Sequence, residues 1–214
     1  MNCYEDSVTH LFSNPARIII AGFSNSGKSE LTSKLIEKYH ESFDRILYCG
    51  VNSHPLQTHH SIADKLVVSP NIEDPLEHSQ YLNKGVLYIL DDLFLEAVDN
   101  KHVVNAFTKG RHSNISVLFI VQNLFFQGKF ARNIALNASH YILMRNRDMS
   151  QIENLGRQIF GKNKSKAFVN IYQKALTYNT FGYLLIDLAM STPPELQLRT
   201  NIVDETPYQI VFNI

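Results

Sequence analysis

Cysteine is scarce in this sequence. Cys3 and Cys49 are the only two among 214 residues, too few for a disulfide scaffold or for a thiolate zinc site of their own, so a reducing compartment is expected. No apolar run approaches the roughly 18 residues that a membrane span requires. Glu5, Asp6 and His10 interrupt the apolar core that a secretory signal would need near the start. A soluble, intracellular protein with no membrane contact is the expectation. Net charge is missing too, because 20 Lys and Arg balance 20 Asp and Glu. No global basic field therefore advertises nucleic acid, and any such contact has to come from a localised patch. Internal repeats, low-complexity tracts and linkers are absent as well.

What is present is globular. Hydrophobic residues make up 44% and charged residues 19%, enough apolar material for a core. One domain over residues 1–214 is the default at this length, with a core of about 15–190 and a C-terminal extension over 191–214. Arg17–Ala21, Arg45–Gly50, Val86–Leu90, Ser116–Val121, His140–Met144 and Tyr183–Asp187 read as strands, with Lys65–Val68 a weaker one. Several are nearly unbroken runs of Ile, Leu, Val, Phe and Tyr, which suits strands covered on both faces of a parallel sheet. Between them, Leu31, Leu35, Ile36 and Tyr39 share a helical face. So do Ile152, Leu155 and Ile159, and again Phe168, Ile171, Tyr172 and Ala175. Alternating strands and helices predict an α/β doubly wound domain. "VNSHPLQTHHSI" (Val51–Ile62) reads as a long loop, and "STPPE" (Ser191–Glu195) as a break before the extension.

One stretch carries chemistry outright: "IIIAGFSNSGKSELTSKLIEKY", Ile18–Tyr39. Gly22-x-x-x-x-Gly27-Lys28-Ser29 fits the P-loop pattern, with an apolar strand before it and a helical pattern after it. Such a loop curls so that successive backbone N–H groups face an anion, and Gly27 lets the backbone approach closely. The helix that follows adds its positive end. Gly22, Ser24, Asn25, Ser26, Gly27, Lys28, Ser29 and Glu30 are the expected nucleotide cradle. Lys28 reaches the β- and γ-phosphates, and the Ser29 hydroxyl ligates Mg2+.

Two further elements fit a hydrolytic site. "VLYILDDL" (Val86–Leu93) is an apolar strand ending in two carboxylates, placed where ligands of open α/β sheets bind. Asp91 would hold Mg2+, largely through its water shell. Asp92 would accept a proton from the attacking water or orient it. A plain turn would also tolerate two aspartates. "SVLFIV" (Ser116–Val121) ends in Gln122, an amide able to donate and accept at once, suited to the γ-phosphate or the lytic water. A strand-end amide that only caps a helix would look the same. An additional strand ending in a polar residue, between the P-loop strand and the metal-side strand, marks NTPases that hydrolyse ATP. A small nucleoside or nucleotide kinase would need arginines clustered on a lid, and none cluster here. A GTP-dependent switch would carry an Asn-Lys-x-Asp segment, which is absent.

The segment "GRHSNISVLFIVQNLF" resembles the arginine-to-glutamine block of the FtsK–HerA motor ATPases, with Arg111 and Gln122 at the matching interval. The longer "FTKGRHSNISVLFIVQNLFFQGKFARNIALNASHYILMRNRDMSQIENLGRQIF" resembles the genome-packaging ATPases of that superfamily. These occur in poxvirus-like and other large DNA viruses, adintoviruses and Maverick/Polinton elements. "YLLIDL" and "TPPELQLRTNI" near the end are similar to theirs, so the resemblance spans about Pro15 to Ile202. The family pattern Asn-Pro-Arg-Asp is met here by Asn146-Arg147-Asp148 without the proline. The resemblance implies a RecA-like additional-strand (ASCE) three-layer αβα sandwich with a mainly parallel central sheet. It also implies an ATP-driven translocase that threads double-stranded DNA into a capsid. Such a motor works as a hexameric or pentameric ring, docks on a capsid or vertex protein, and belongs to the host nucleus, a cytoplasmic virus factory or the virion. Two rivals from other classes stay open, a small P-loop nucleoside or nucleotide kinase and a non-hydrolysing, ATP-dependent assembly factor.

In a ring, a neighbour's guanidinium can neutralise charge developing on the γ-phosphate. Arg111 is the first candidate for that finger and Arg132 the second. DNA contacts are sought in two short basic segments, "FQGKFAR" with Lys129 and "GKNKSK" with Lys162, Lys164 and Lys166. Either could touch backbone phosphates without reading sequence. His54, His59 and His60 share one loop but have no cysteine or carboxylate at ligand spacing, so a solvated loop is expected there. His112, beside Arg111, is a candidate for a subunit interface.

Overall fold

The computed structural model describes residues 2–5, 11–12, 15–50, 60–125, 127–203 and 208–214, with residues 2–5 as backbone alone. Strand β2 (Arg17–Ala21) sends Ile18 and Ile20 to one face and Ile19 and Ala21 to the other, and all four are buried. β3 (Arg45–Gly50), β5 (Val86–Asp91) and β6 (Ile115–Val121) are buried on both faces in the same way, which is why they read as unbroken apolar runs. With β4 (Leu66–Ser69) and β7 (His140–Leu143) they form a parallel block in the order β7-β2-β6-β5-β3-β4. β6 lies between β2 and β5, which is the additional-strand order.

The other four described strands extend the sheet antiparallel to their neighbours: β8 (Leu184–Asp187) on β7, then β9 (Leu198–Thr200), β10 (Tyr208–Phe212) and β1 (Asn2–Glu5). Two features add to the expectation here. The Tyr183–Asp187 run is not part of the parallel set, because two helices separate it from β7. The first carries the chain back to the starting edge and the second returns it, so β8 enters from the edge at which the parallel strands end. The chain after Ser191–Glu195 is sheet, with Leu198, Ile210, Val211 and Phe212 buried.

Helix α1 (Lys28–Tyr39) buries Leu31, Leu35, Ile36 and Tyr39 on the Ile18 and Ile20 face. The opposite face is covered mainly by α4 (Lys101–Lys109), α5 (Ala131–Asn137), α6 (Met149–Phe160) and α7 (Ser165–Ala175). Shorter α2 (Pro75–Ser79) and α3 (Phe94–Ala97) follow β4 and β5. Side chains of Asp74, Asn100 and Asp148 cap α2, α4 and α6 by accepting from backbone N–H groups two residues on. The architecture is the expected αβα sandwich with a mainly parallel centre. Among the described residues no helix is long and apolar enough to cross a membrane. Of the Val51–Ile62 loop only residues 60–62 are described, as a short turn with His60 exposed. His54 and His59 lie outside the described residues.

Candidate active site

All strands of the parallel block end at one edge of the sheet, where ligands of such sheets bind. β2 runs out there into the loop 22–27, and α1 starts at Lys28. Gly22 N donates to Val121 O at the end of β6, Phe23 N donates to Arg145 O beyond β7, and Ser26 N closes the turn onto Phe23 O, each at 3.2 Å. Asn25 at φ 62° and Gly27 at φ 95° adopt the left-handed conformation that curls the loop. Gly22 is required by contact instead, since a Cβ there would lie 2.6 Å from Ser26 Oγ and 2.8 Å from Met144 Cβ. Ser26 Oγ is buried without a hydrogen-bond partner. Lys28 Nζ donates to Gly22 O at 2.7 Å and Phe23 O at 3.0 Å, folded over the loop it follows. Ser24, Asn25, Ser29 and Glu30 are exposed around it.

β5 stands across β6 from β2 and ends in Asp91. The Tyr48 hydroxyl, from β3, donates to Asp91 Oδ2 at 2.7 Å. Burial pushes the Asp91 carboxyl above its ordinary value; the Tyr48 bond opposes this, the Asp92 charge adds to it, and the Lys28 charge opposes it. Burial lowers Lys28, with Asp92 and then Asp91 acting against the shift. Lys28, Asp91 and Asp92 thus share one electrostatic neighbourhood. Burial and then the Asp91 charge push the Tyr48 phenol upward. Asp92 is exposed at φ 55°, a conformation that aspartate tolerates and most residues avoid. Gln122, at the end of β6, faces it across a cleft of about 310 Å³ that Phe94 and Asn123 also line. Leu124 N donates to Gln151 Oε1 at 3.0 Å, which ties the Gln122 loop to α6.

Lys28, Ser29, Asp91, Asp92 and Gln122 therefore belong to one edge. Arg132 is exposed at the start of α5 on the same side, and so is Lys129, whose N–H donates to Asp99 Oδ1 at 2.6 Å. Arg111 does not join them. It sits in the turn Gly110–Ser113 that leads into β6, where its Nε donates to His112 Nε2 at 3.4 Å. Burial and then its charge lower Arg17, at the start of β2. At about 3.3 Å per residue, the length of β6 puts Arg111 roughly 20 Å from its own P-loop edge. Lys162 and Lys164 are exposed in the turn between α6 and α7 and Lys166 in the first turn of α7, also at the edge opposite the P-loop, so the two basic segments do not make one patch.

No group of three or more His, Cys, Asp or Glu that could hold a metal occurs among the described residues. A half-buried carboxylate and a serine hydroxyl at a phosphate loop are instead the sparse oxygen donors that suit Mg2+ when phosphates and water supply the rest. The residues fit that ion.

A family profile described as "Poxvirus A32 protein" matches residues 5–205. The chain belongs to the poxvirus A32 protein family. The resemblance to a poxvirus family is borne out by that match. Among solved structures, the A32-family chain is similar to the genome packaging NTPase B204 from Sulfolobus turreted icosahedral virus 2 in complex with AMP. That likeness has 14% identity, covers 87% of this chain and 97% of that one, and has a TM-score of 0.59. B204 with ATP-gammaS matches at 16% identity over 85% and 96% of the two chains, TM-score 0.59. The cytoplasmic domain of the Thermomonospora curvata Type VII secretion ATPase EccC matches at 14% identity over 85% of this chain and 25% of that one, TM-score 0.54. At these identities the likeness establishes a shared fold. Curated proteins yielded no match.

Two contacts of this A32-family site escape a reading of the sequence. Tyr48 reaches Asp91 only because β3 neighbours β5, with Tyr48 paired to Ile89 and Gly50 to Asp91. The Arg147 guanidinium lies 5.0 Å from the Phe23 ring centroid, bringing a cation from the loop after β7 onto the P-loop. The Asn146-Arg147-Asp148 motif was the available signal for the second; the first had none.

Proposed function

We propose that this chain hydrolyses ATP to drive double-stranded DNA into a viral capsid, as one subunit of a ring. The observation that carries the proposal is the convergence of Lys28, Asp91, Asp92 and Gln122 at one sheet edge in an A32-family chain. The B204 structures, a packaging NTPase with AMP or ATP-gammaS, support nucleotide use by the shared fold. Lys28 Nζ exchanges the carbonyls of Gly22 and Phe23 for β- and γ-phosphate oxygens, a stronger charge-assisted bond. Ser29 and Asp91 would hold Mg2+, which supplies charge neutralisation at those phosphates when bound. Asp92 takes the proton of the attacking water while Gln122 orients it. The water oxygen bonds to the γ-phosphorus as the bond to the β–γ bridging oxygen breaks, leaving ADP and phosphate.

Arg111, remote from its own P-loop, is suited to acting on a neighbour, and Arg132 is the alternative finger. Lys129 on one edge and Lys162, Lys164 and Lys166 on the other are proposed DNA-backbone contacts at successive depths of a ring's channel. A capsid or vertex protein is the proposed docking partner.

DNA-stimulated ATPase activity, measured with mass in solution in the presence and absence of ATP, tests the proposal. Turnover that rises with DNA and vanishes in Lys28→Ala and Asp92→Asn is the expected result. Phosphate transfer to a nucleoside without DNA stimulation would identify a kinase, and ring formation with negligible turnover an assembly factor.

A further inference from the structure

Beside the P-loop lies a second cleft, of about 350 Å³, on the side away from Asp91, Asp92 and Gln122. Glu30 and Lys34 of α1 form one wall, Asn179 and Phe181 the other, and Tyr183 and Val203 also line it. Its size is that of a small-ligand site. We propose that this cleft receives the purine base of the nucleotide and that Phe181 is the platform on which the base stacks. The assignment rests on the nucleotide-binding reading of the P-loop.

Sheet order supplies the direction. The hydrolytic groups follow β5 and β6, on one side of β2. Phe181 lies three residues before β8, which lies beyond β7 on the other side. A triphosphate in the loop with its γ end toward Asp91 and Asp92 therefore leaves its ribose and base on the Phe181 side.

The ring is also seated against the loop itself. A Cβ built on Gly27 would lie 2.5 Å from Phe181 Cγ, so Gly27 serves both its left-handed φ of 95° and the close approach of this phenyl group. Phe181 is nonetheless 46% exposed, an apolar ring held open to solvent next to an anion-binding loop. Its turn is fixed from several sides. Gly182 N donates to Asn179 O at 3.0 Å, and Asn179 Nδ2 donates to Asn201 Oδ1 at 3.1 Å. Thr200 Oγ1 donates to Tyr183 O at 2.6 Å, and Ile202 N donates to the Tyr183 hydroxyl at 2.7 Å. Lys38 Nζ, from α1, donates to Ile202 O at 2.7 Å, so both walls of the cleft are tied to the same segment. A platform positioned before binding loses little freedom when a base arrives.

Base stacking on an aromatic ring changes affinity by about 10- to 100-fold on alanine substitution. Isothermal titration of the full chain with Mg-ATP and, separately, with inorganic tripolyphosphate isolates the base from the phosphates. In Phe181→Ala the ATP dissociation constant should rise at least tenfold, while that of tripolyphosphate stays within twofold of wild type. Phe181→Tyr should restore ATP affinity. Turnover should show the loss in KM with kcat largely kept. Equal losses for both ligands, no loss for ATP, or wild-type tripolyphosphate binding as tight as ATP binding would each overturn the base assignment. Failure of the wild-type chain to bind either ligand would instead remove the nucleotide reading beneath it. Because Phe181 is half exposed, thermal melting should confirm that both variants remain folded.

Discussion

At the scale of single residues, the Tyr48–Asp91 hydrogen bond orients the carboxylate proposed to hold Mg2+. Burial raises that carboxyl, and the phenolic donor works against the rise while fixing one of its two oxygens. Groups that orient a metal-side ligand commonly change metal affinity or activity by about 10- to 100-fold when removed. Tyr48→Phe should therefore raise the Mg2+ concentration for half-maximal ATPase activity about tenfold, with unchanged melting; a Mg2+ titration checks this. Gly22 is constrained differently. A methyl group there meets Ser26 Oγ and Met144 Cβ inside contact distance, and overpacking of this kind costs about 1–3 kcal/mol. Gly22→Ala should lower the melting temperature by several degrees in calorimetry and weaken nucleotide binding through the displaced loop.

At the scale of elements, the antiparallel half of the sheet is held by a buried polar cluster. Asp187 on β8 lies 3.2 Å from His140 Nε2 on β7 and 2.7 Å from Arg199 Nη2 on β9. The Ser139 hydroxyl stands 2.9 Å from His140 Nδ1. Burial alone would push Asp187 upward. The hydrogen bond and charge of His140, followed by the Arg199 charge, outweigh it and hold the carboxyl at about 2, against an ordinary 3.8. A carboxylate lowered in the folded state stabilises the protein above the unfolded value, and that contribution, about 2 kcal/mol, disappears as pH falls from near 4 through 2. Asp187→Asn should be destabilised by about 2–4 kcal/mol at neutral pH, since it removes the carboxylate charge from beside the buried Arg199 guanidinium. The gap from wild type should narrow steadily as pH falls from 4 to 2, as urea denaturation across pH 2–7 will report.

At the scale of the whole molecule, the proposed roles fall on two edges of the sheet. The P-loop edge holds the phosphate loop, the carboxylates, Gln122, Lys129 and Arg132. The opposite edge, roughly 20 Å away along the strands, holds Arg111 and the Lys162–Lys166 cluster. A finger at that distance acts only on another subunit's phosphates. Mixing Arg111→Ala with Lys28→Ala subunits should restore part of the ATPase activity that each variant lacks alone, because some interfaces then pair an intact P-loop with an intact arginine. No recovery at any mixing ratio would rule out Arg111 as the finger.

The sequence by itself determined the local elements and the chemistry that local order creates. The glycine-bounded loop between an apolar strand and the Leu31–Tyr39 helix, the carboxylates closing β5, and Gln122 closing β6 are all set by neighbours in the chain. Strand composition and helical spacing respond to short-range sterics and burial, and they mark those positions without further information. The tertiary structure alone decided which of these ends meet. Strand order placed β6 between β2 and β5, so that Lys28, Asp91, Asp92 and Gln122 share an edge. It also set Tyr48 beside Asp91, turned β8 antiparallel, and carried Phe181 against Gly27, 154 positions away by residue number. Contacts of that range arise from packing whole faces against one another, and no periodicity in the chain encodes them.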